Sequence, residues 1–417
     1  MLPTQDDSSK AEFVSPPNPS VPLWRNRDYL LLWSGQTISN MGSKVSGFAF
    51  PLMVLFLTKS ASQAGLVVAL NSLPYLFLSL PVGALVDRWD RKRVMVLCDA
   101  GRALALGSIP VTYAIGHLTI VQIYLVALVE GTLFVFFNLA EVACLPQVVS
   151  KEQLPRAAGQ NRVTEGTSSL IGPPLGGILY SASLLLPFLA DAISYVVSVG
   201  SLILIRTAFQ RERRAVQRKL RVEVAEGLSW LWHQPLIRFM ACVTGGLNFI
   251  FAGGPLILIV LAQQQGASPP FIGLVFTIGA IGGILGSVVG PAIQKRFSFS
   301  SLVISTLWIN ALFWPLYIIA PNPLLLGAVN AVIAFVTPIY DVVQFSYRLA
   351  LIPDALQGRV NSVFRLLAFG LQPLGGALAG VFLQRLGAFT TVLIFGICFI
   401  VVAAAATINP YVRHAAT

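Results

Sequence analysis

The sequence predicts an all-α membrane protein whose twelve transmembrane helices form two pseudo-symmetric six-helix bundles. The first observation behind this prediction is composition, since 55% of the 417 residues are hydrophobic and only 11% are charged, against about a quarter charged in a typical soluble protein. The second is the recurrence of apolar runs of roughly 20 residues, the length that crosses a bilayer. The third is an internal repeat that divides the chain into matching halves.

Apolar length, and the Gly, Pro and charged residues between the runs, set the predicted spans. They cover 29–57, 63–86, 94–115, 119–142, 162–185, 187–206, 236–262, 270–293, 299–320, 324–347, 360–384 and 388–409. The predicted organisation is a disordered cytoplasmic tail, a first bundle, a basic cytoplasmic linker with an amphipathic helix, a second bundle and a short cytoplasmic tail, at 1–28, 29–206, 207–235, 236–409 and 410–417. The first tail is rich in Pro, Ser and acidic residues, a composition that does not form a core.

The Lys and Arg residues predict the orientation of these spans. Nearly all of the 28 lie in the tails and in the loops after even-numbered spans, whereas the opposite loops hold only Lys59 and Arg385. Because cytoplasmic loops retain basic residues, both termini are expected in the cytoplasm, with the chain in the plasma or inner membrane. This placement also accounts for the net charge of +11 without a nucleic-acid partner.

The two halves repeat each other in sequence. The tetrapeptide PLGG begins at Pro174 in the fifth span and again at Pro373 in the eleventh. Between the halves, the polar stretch from Arg206 to Arg238 holds apolar residues at helical spacing, which predicts an amphipathic helix on the membrane surface; a solvated linker held near acidic lipid is the simpler alternative. Duplicated bundles of this kind rock about a shared site in transporters.

Other classes of function lack the residues that they need. The four Cys and three His are scattered, so no metal site and no cofactor are expected, and the sequence has no G-x-x-x-x-G-K-[ST] phosphate loop. The glycines from Gly279 to Gly290 lie inside an apolar span, where those at four-residue intervals favour helix packing over nucleotide binding. An enzyme is therefore not expected.

A charged cluster stands out between the second and third spans. The stretch GALVDRWDRKRVMVL, which begins at Gly83, resembles the loop signature of the major facilitator superfamily, G-x-L-a-D-R-x-G-R-[KR]. Asp90 stands where that family usually has Gly. The matching residues are Gly83, Leu85, Asp87, Arg88, Arg91 and Lys92.

This resemblance implies a cytoplasmic gate. Gly83 would let two helices approach closely, and Asp87 would face the start of the eleventh span, where Asn361 is the expected N-cap. By the same resemblance, Arg91 would pair with Glu141 near the end of the fourth span. The alternative is that these charges only set the topology.

A second motif lies in the fifth span. GPPLGG, which begins at Gly172, resembles the core of a signature found in drug and proton antiporters of the same superfamily. Pro173 weakens the helical hydrogen bonds, and Gly176 and Gly177 permit close packing, so the segment is expected to act as a hinge. Packing of small residues without a hinge is the alternative.

Short strings along the chain also resemble the enterobactin-exporter and macrolide-efflux branch of the superfamily. They are LTKS at 57–60, CDAGR at 98–102, EGT at 130–132, LADA at 189–192 and EGLSW at 226–230. Their order and spacing imply export.

Ionisable residues inside the spans are candidate coupling sites, because each is costly near the bilayer centre. Glu130 in the fourth span is the first candidate for a proton-carrying acid and is expected to pair with Lys44 in the first span; a static bridge is the alternative. Asp341 in the tenth span is a further proton-coupling candidate. Asp99 and Arg102 lie one helical turn apart and are expected to satisfy each other.

The superfamily fold places spans 1, 4, 7 and 10 around a central cavity. The predicted substrate cavity comprises Gln36, Asn40, Lys44, Glu130, Phe134, Asn138, Asn248, Phe251, Asn330 and Tyr340. A few amides among apolar walls favour an amphipathic molecule over a sugar. The leading prediction is a monomeric secondary transporter that exports a drug, siderophore or other secreted metabolite against inward proton flow. A proton-independent or symport-type importer or facilitator of a small nutrient is the alternative.

Overall fold

The computed structural model describes residues 22–86, 88–209, 220–353 and 356–415, which are helical and contain no strand. The α-helices are α1 Arg27–Thr58, α2 Ala61–Val86, α3 Arg91–Ala114, α4 Ile120–Val148, α5 Leu154–Ala182, α6 Leu186–Leu204, α7 Leu220–His233, α8 Pro235–Gln264, α9 Pro269–Gln294, α10 Phe299–Phe313, α11 Leu316–Ile319, α12 Pro323–Leu351, α13 Gln357–Gly370, α14 Gln372–Ile408 and α15 Pro410–Arg413. Short 3-10 turns at Leu23–Arg25 and Lys151–Gln153 precede α1 and α5.

Ten of the described segments are long and apolar enough to cross a membrane. The last of them, Gln357–Ile408, holds two predicted spans, because its backbone leaves helical geometry at Gly387, where φ is +79°. A positive φ of this kind favours glycine. Together with α5, which begins at Leu154 rather than at the predicted 162, these segments make up the twelve helices of the predicted fold.

The helices form two bundles that meet along two seams. In the first half, α1 packs against α5 and α6, while α4 packs against α2 and α3. In the second half, α12 packs against α9 and α10, and α14 packs against α8 and α10. The seams between the halves are the α2–α14 and α5–α9 contacts.

The first glycine of each PLGG repeat packs inside its own half. A Cβ on Gly176 would lie 2.9 Å from the carbonyl oxygen of Val45 on α1, and one on Gly375 would lie 1.9 Å from that of Phe249 on α8. Since α1 and α8 are the first spanning helices of their halves, the two repeats occupy equivalent positions. Glycine is needed at both because a side chain would collide with the neighbouring backbone.

The second glycine of each repeat packs across a seam. A Cβ on Gly177 would lie 2.4 Å from the Pro269 carbonyl oxygen of α9, and one on Gly376 would lie 3.0 Å from the Val68 side chain of α2. Helix α5 continues without a break through Pro173. The repeat therefore provides close packing within each half and between the halves.

Two faces of the molecule differ in how tightly the halves meet. We call the face where α1 begins and α6 ends the near face, and the opposite one the far face. At the far face, the Ala61 N–H donates to Gln384 Oε1 at 2.7 Å and the Ser62 hydroxyl donates to the Gly380 carbonyl at 3.4 Å. Toward the near face, a Cβ on Gly83 would meet no atom of the described residues within 4 Å, so no close approach at Gly83 is seen within the part of the chain that the structure describes.

The linker helix α7 docks on the second half. Glu226 forms an ion pair with Arg359 of α13, and a Cβ on Gly227 would lie 2.7 Å from the Arg359 carbonyl oxygen. Leu231 is buried, whereas Trp232 on the same helix is exposed. The amphipathic helix expected at the membrane surface therefore has its buried side against protein.

Candidate functional site

Glu130 and Arg102 form a buried ion pair inside the first half. Arg102 Nη2 lies 2.6 Å from Glu130 Oε1, and Arg102 Nε lies 3.1 Å from each carboxylate oxygen. Only 7% of the Glu130 surface and 4% of the Arg102 surface are exposed. Charges at this depth are stable only when paired and hydrogen-bonded, so the pair joins α3 to α4.

The predicted ion pair between Glu130 and Lys44 was wrong. Lys44 is exposed on α1 and lies beside α5, where a Cβ on Gly172 would come within 2.4 Å of the Lys44 Cβ. The cation that Glu130 contacts is Arg102, which the sequence paired with Asp99 alone.

Tyr195 of α6 completes the surroundings of Glu130. Its hydroxyl donates to Glu130 Oε1 at 2.8 Å and lies 2.8 Å from the Ser43 hydroxyl of α1. The Arg102 guanidinium stacks over the Tyr195 ring with its carbon 4.1 Å from the ring centroid, a cation–π geometry. Sequence reasoning missed both hydroxyl residues.

Asp99 is the second carboxylate that faces Arg102. Its Oδ1 lies 3.6 Å from Arg102 Nη1, and its Oδ2 accepts a hydrogen bond from the Ser198 hydroxyl at 2.5 Å. Gln36 donates in turn to the Ser198 oxygen at 3.1 Å. The buried Gln36 side chain thus packs against α6 instead of lining the predicted substrate cavity.

Asp191 is a third buried carboxylate, and it has no basic partner within 4 Å among the described residues. It accepts hydrogen bonds from Ser46 of α1 at 2.5 Å and from the Ser194 hydroxyl at 3.0 Å. The Ser46 hydroxyl also lies 3.4 Å from the Ser43 carbonyl oxygen of the same helix.

We call Asp99, Arg102, Glu130, Asp191 and Tyr195 the first-half cluster. It holds three carboxyl groups and one guanidinium, all of them buried. Burial disfavours uncompensated charge, and one guanidinium can balance only one of the three carboxylates. The polar residues at positions 191, 194, 195 and 198 of α6 are a sequence pattern that could have indicated the α6 side of this cluster.

The second half contains a cavity of about 60 Å³ between α8, α10 and α12. It brings together four residues that the sequence singled out, Asn248, Phe251, Tyr340 and Asp341. Helix α10, which was not expected to contribute, supplies Thr306, Leu307 and Asn310.

The other predicted cavity residues lie elsewhere. Asn330 accepts a hydrogen bond from the Tyr317 hydroxyl at 3.1 Å and does not line the second-half cavity. On the first half, Asn40 and Phe134 are exposed and Asn138 is partly buried. Phe134 lies 5.7 Å from the Arg102 guanidinium carbon, measured to the ring centroid, and is the predicted aromatic residue nearest to the first-half cluster.

The loop signature ties together the near ends of first-half helices. Arg91 reaches α4, as the resemblance implied, but there it donates to the Ala143 carbonyl at 2.9 Å rather than to Glu141. Lys92 donates to the Ile205 carbonyl at the end of α6 at 2.6 Å, a favourable position for a cation. Asp90 is the N-cap of α3 and accepts from the Arg93 N–H at 3.0 Å.

Two further gate predictions concern the start of the eleventh span. Asp87 lies outside the described residues. Asn361 is not an N-cap, because α13 already begins at Gln357. The Asn361 Oδ1 is buried and has no hydrogen-bond partner among the described residues. Arg88, the remaining charged residue of the signature, is exposed.

Comparison with known proteins places this geometry among transporters. A family model described as a transmembrane secretion effector matches residues 19–416. The multidrug efflux pump Tap of Mycolicibacterium fortuitum is 26% identical over 405 residues, which cover 92% of this chain and 96% of that protein. Macrolide efflux protein A of Streptococcus pyogenes is 24% identical over 391 residues, which cover 91% of this chain and 95% of that protein.

Solved structures share the fold. A variant of the nucleoside transporter NupG superposes with a TM-score of 0.77 at 14% identity, over 92% of this chain and 99% of that one. A bacterial homologue of the iron transporter ferroportin, in its inward-facing state, superposes with a TM-score of 0.69 at 16% identity, over 92% of this chain and all of that one.

Proposed function

The chain belongs to the transmembrane secretion effector family of major facilitator transporters, and from this premise we propose that it exports an amphipathic small molecule in exchange for protons. Two relatives of nearly full length are named for the efflux of multiple drugs and of macrolides. The proposed substrates are accordingly drugs or other secreted amphipathic metabolites. Transport would proceed by alternating access of the two halves.

The observation that carries the proton coupling is the first-half cluster. The buried carboxyl groups of Asp99 and Glu130 share one guanidinium, that of Arg102, and a third buried carboxyl group, that of Asp191, has hydroxyl partners. A proton on Glu130 would remove the charge that Arg102 pairs with and weaken the contact between α3 and α4. Asp341 and Lys44 are the exposed charged groups proposed to meet substrate or protons outside the cluster.

The halves would move on their glycine seams. In the present conformation they meet at the far face, where Ala61 bonds to Gln384, whereas toward the near face a Cβ on Gly83 would meet no described atom within 4 Å. We propose that the near face is cytoplasmic, that both termini lie there, and that the chain works as a monomer in the cell inner membrane. The proton gradient would be its only driving force, without a cofactor.

Flux measurements in proteoliposomes test this function. With an imposed pH gradient, wild-type protein is expected to accumulate a radiolabelled macrolide on the acidic side, where its substrate is released. Glu130→Gln is expected to lower gradient-driven flux at least tenfold while keeping gradient-free exchange of labelled and unlabelled macrolide. Glu165→Gln is the matched control, because Glu165 is an exposed acid of the same half.

Two results would contradict the proposal. Undiminished gradient-driven flux in Glu130→Gln would remove Glu130 from the coupling. Uptake down a concentration gradient that is indifferent to pH would support the importer or facilitator alternative in place of proton-driven export.

A further inference from the structure

We infer that the cavity between α8, α10 and α12 is a binding site for a compact monovalent cation, either an alkali ion or the ammonium head of a transported amine. The cavity volume of about 60 Å³ exceeds the volume that one water requires. It suits a small ion with a little water, or a single ammonium group.

The hydroxyl groups of the lining direct their protons away from the cavity, to main-chain carbonyls. Thr244 donates to the Met240 carbonyl at 2.8 Å, and Thr306 donates to the Leu302 carbonyl at 2.8 Å. Thr337 donates to the carbonyl of Ile333, four residues before it. A hydroxyl whose single proton is used in this way can offer a ligand only its oxygen lone pairs.

Tyr340 follows the same pattern. Its hydroxyl lies 2.9 Å from the Thr244 hydroxyl oxygen. Because the proton of Thr244 already goes to the Met240 carbonyl, the Tyr340 hydroxyl is the donor of this bond. The Tyr340 oxygen then keeps its own lone pairs.

The two asparagines of the lining also have oxygens to offer. The Asn248 amide donates to the Ala368 carbonyl at 2.9 Å, and the Asn310 amide donates to the Thr306 carbonyl at 3.0 Å. Asn310 is only 2% exposed, yet its Oδ1 has no hydrogen-bond partner among the described residues. A buried carbonyl oxygen left in this condition is costly, and a cation or an ammonium N–H would satisfy it.

Asp341 supplies the negative charge of the site. It lines the same cavity, and no Lys or Arg nitrogen lies within 4 Å of its carboxylate among the described residues. A carboxylate, carboxamide oxygens and hydroxyl oxygens are the ligands that hard cations prefer, and the one carboxylate of the described lining balances a single positive charge. An anion would face the Asp341 carboxylate and is disfavoured.

Binding to the purified full chain in nanodiscs tests this inference without any transport. The thermal unfolding midpoint is followed at constant ionic strength while N-methylglucamine is replaced by Na⁺, K⁺ or methylammonium. A saturable rise with an alkali ion would identify a free ion as the ligand, and a rise with methylammonium alone would identify an amine head. Tetramethylammonium, which has no N–H to donate to the lining oxygens, should give no rise.

Variants locate the effect. Asp341→Asn and Asn310→Leu are expected to weaken the fitted Kd at least tenfold, whereas Asn330→Ala, outside the cavity, should leave it unchanged. If Asn310→Leu does not fold, Asn310→Asp replaces it and should tighten the Kd about tenfold by adding a charge. The inference is overturned if no small cation raises the midpoint, if tetramethylammonium works equally well, or if the cavity variants leave the Kd unchanged. Because no flux is measured, this result is independent of whether protons drive export.

Discussion

The two halves of the chain share a packing scheme and differ in the polar groups that they enclose. The first half buries Arg102 with three carboxyl groups, all under a tenth exposed. The second half encloses a cavity whose neutral hydroxyls and amides accompany one carboxylate, that of Asp341. The PLGG glycines nevertheless occupy equivalent places, with Gly176 against α1 and Gly375 against α8.

This comparison separates the features that both halves of a duplicated fold keep from the features that can differ between them. Backbone contacts that keep the helices close repeat in both halves, because each half must bury similar surfaces in the bilayer. The polar interiors are free to diverge, since each lies inside a single bundle. In our interpretation, proton binding belongs to the first half and cation binding to the second.

The largest effect is expected from removing the cation of the first half. Arg102→Leu leaves buried carboxylates without their partner and should cost about 3–5 kcal/mol, seen as a lower unfolding midpoint and poor yield in detergent. The double variant Arg102→Leu with Glu130→Leu should recover part of this loss. The control is Arg162→Leu, which breaks an exposed pair with Glu165 and should change stability by about 0.5 kcal/mol or less. An equal loss of stability in Arg102→Leu and Arg162→Leu would contradict the expected difference between a buried and an exposed ion pair.

The repeated glycines test whether the halves are equivalent as scaffolds. Gly375→Ala places a Cβ 1.9 Å from a backbone oxygen, whereas Gly176→Ala places one at 2.9 Å. Overpacking costs about 1–3 kcal/mol, so both variants should unfold at lower temperature, and Gly375→Ala more so. A larger loss for Gly176→Ala would show that α1 yields less readily than α8.

A matched pair of tyrosines sharpens the comparison of the interiors. Tyr195→Phe removes one hydrogen bond to Glu130, and Tyr317→Phe removes one to Asn330. Loss of the bond to neutral Asn330 should cost about 1 kcal/mol of stability, and loss of the bond to the Glu130 carboxylate about 1.5–3 kcal/mol. Only Tyr195→Phe should also reduce gradient-driven macrolide flux, by several-fold. Equal flux in the two variants would show that Tyr195 takes no part in proton coupling.

The smallest effect is expected at the linker helix. Glu226→Gln breaks a partly exposed ion pair with Arg359, which should cost under about 1 kcal/mol and matter less at high salt. At low salt, protease should therefore cleave the Glu226→Gln variant near α7 faster than it cleaves the wild-type protein. A loss of several kcal/mol would instead make the docking of α7 a principal support of the second half.

The fold followed from the sequence because its determinants are distributed along the chain. Apolar length placed the twelve helices, and the tetrapeptide repeat identified the halves. Boundaries were less certain where polar residues enter a helix, as in α5, which begins at Leu154 in the structure. The linker helix was expected on the membrane, but hydrophobic spacing does not say whether lipid or protein covers an apolar face.

The site was predicted only in part, because sequence does not set how a helix is rotated. Glu130 was recognised as a buried acid, but Lys44 and Arg102 were both intramembrane cations on other helices, and the structure turns only Arg102 toward it. Tyr195 was missed because a tyrosine in an apolar span ordinarily contributes only to helix packing. Asn310 was missed because α10 was not expected to reach the cavity.

The direction of the hydroxyl groups has one more consequence. In the first half, Tyr195, Ser198 and Ser46 donate to carboxylates, which become donors themselves once they take up a proton. Those bonds are therefore reversible, and acidification can rewire them. In the second half, the threonine hydroxyls donate to peptide carbonyls, which do not titrate in the biological pH range. The orientation of those hydroxyl groups is therefore set by helix geometry and does not change with the pH on either side of the bilayer.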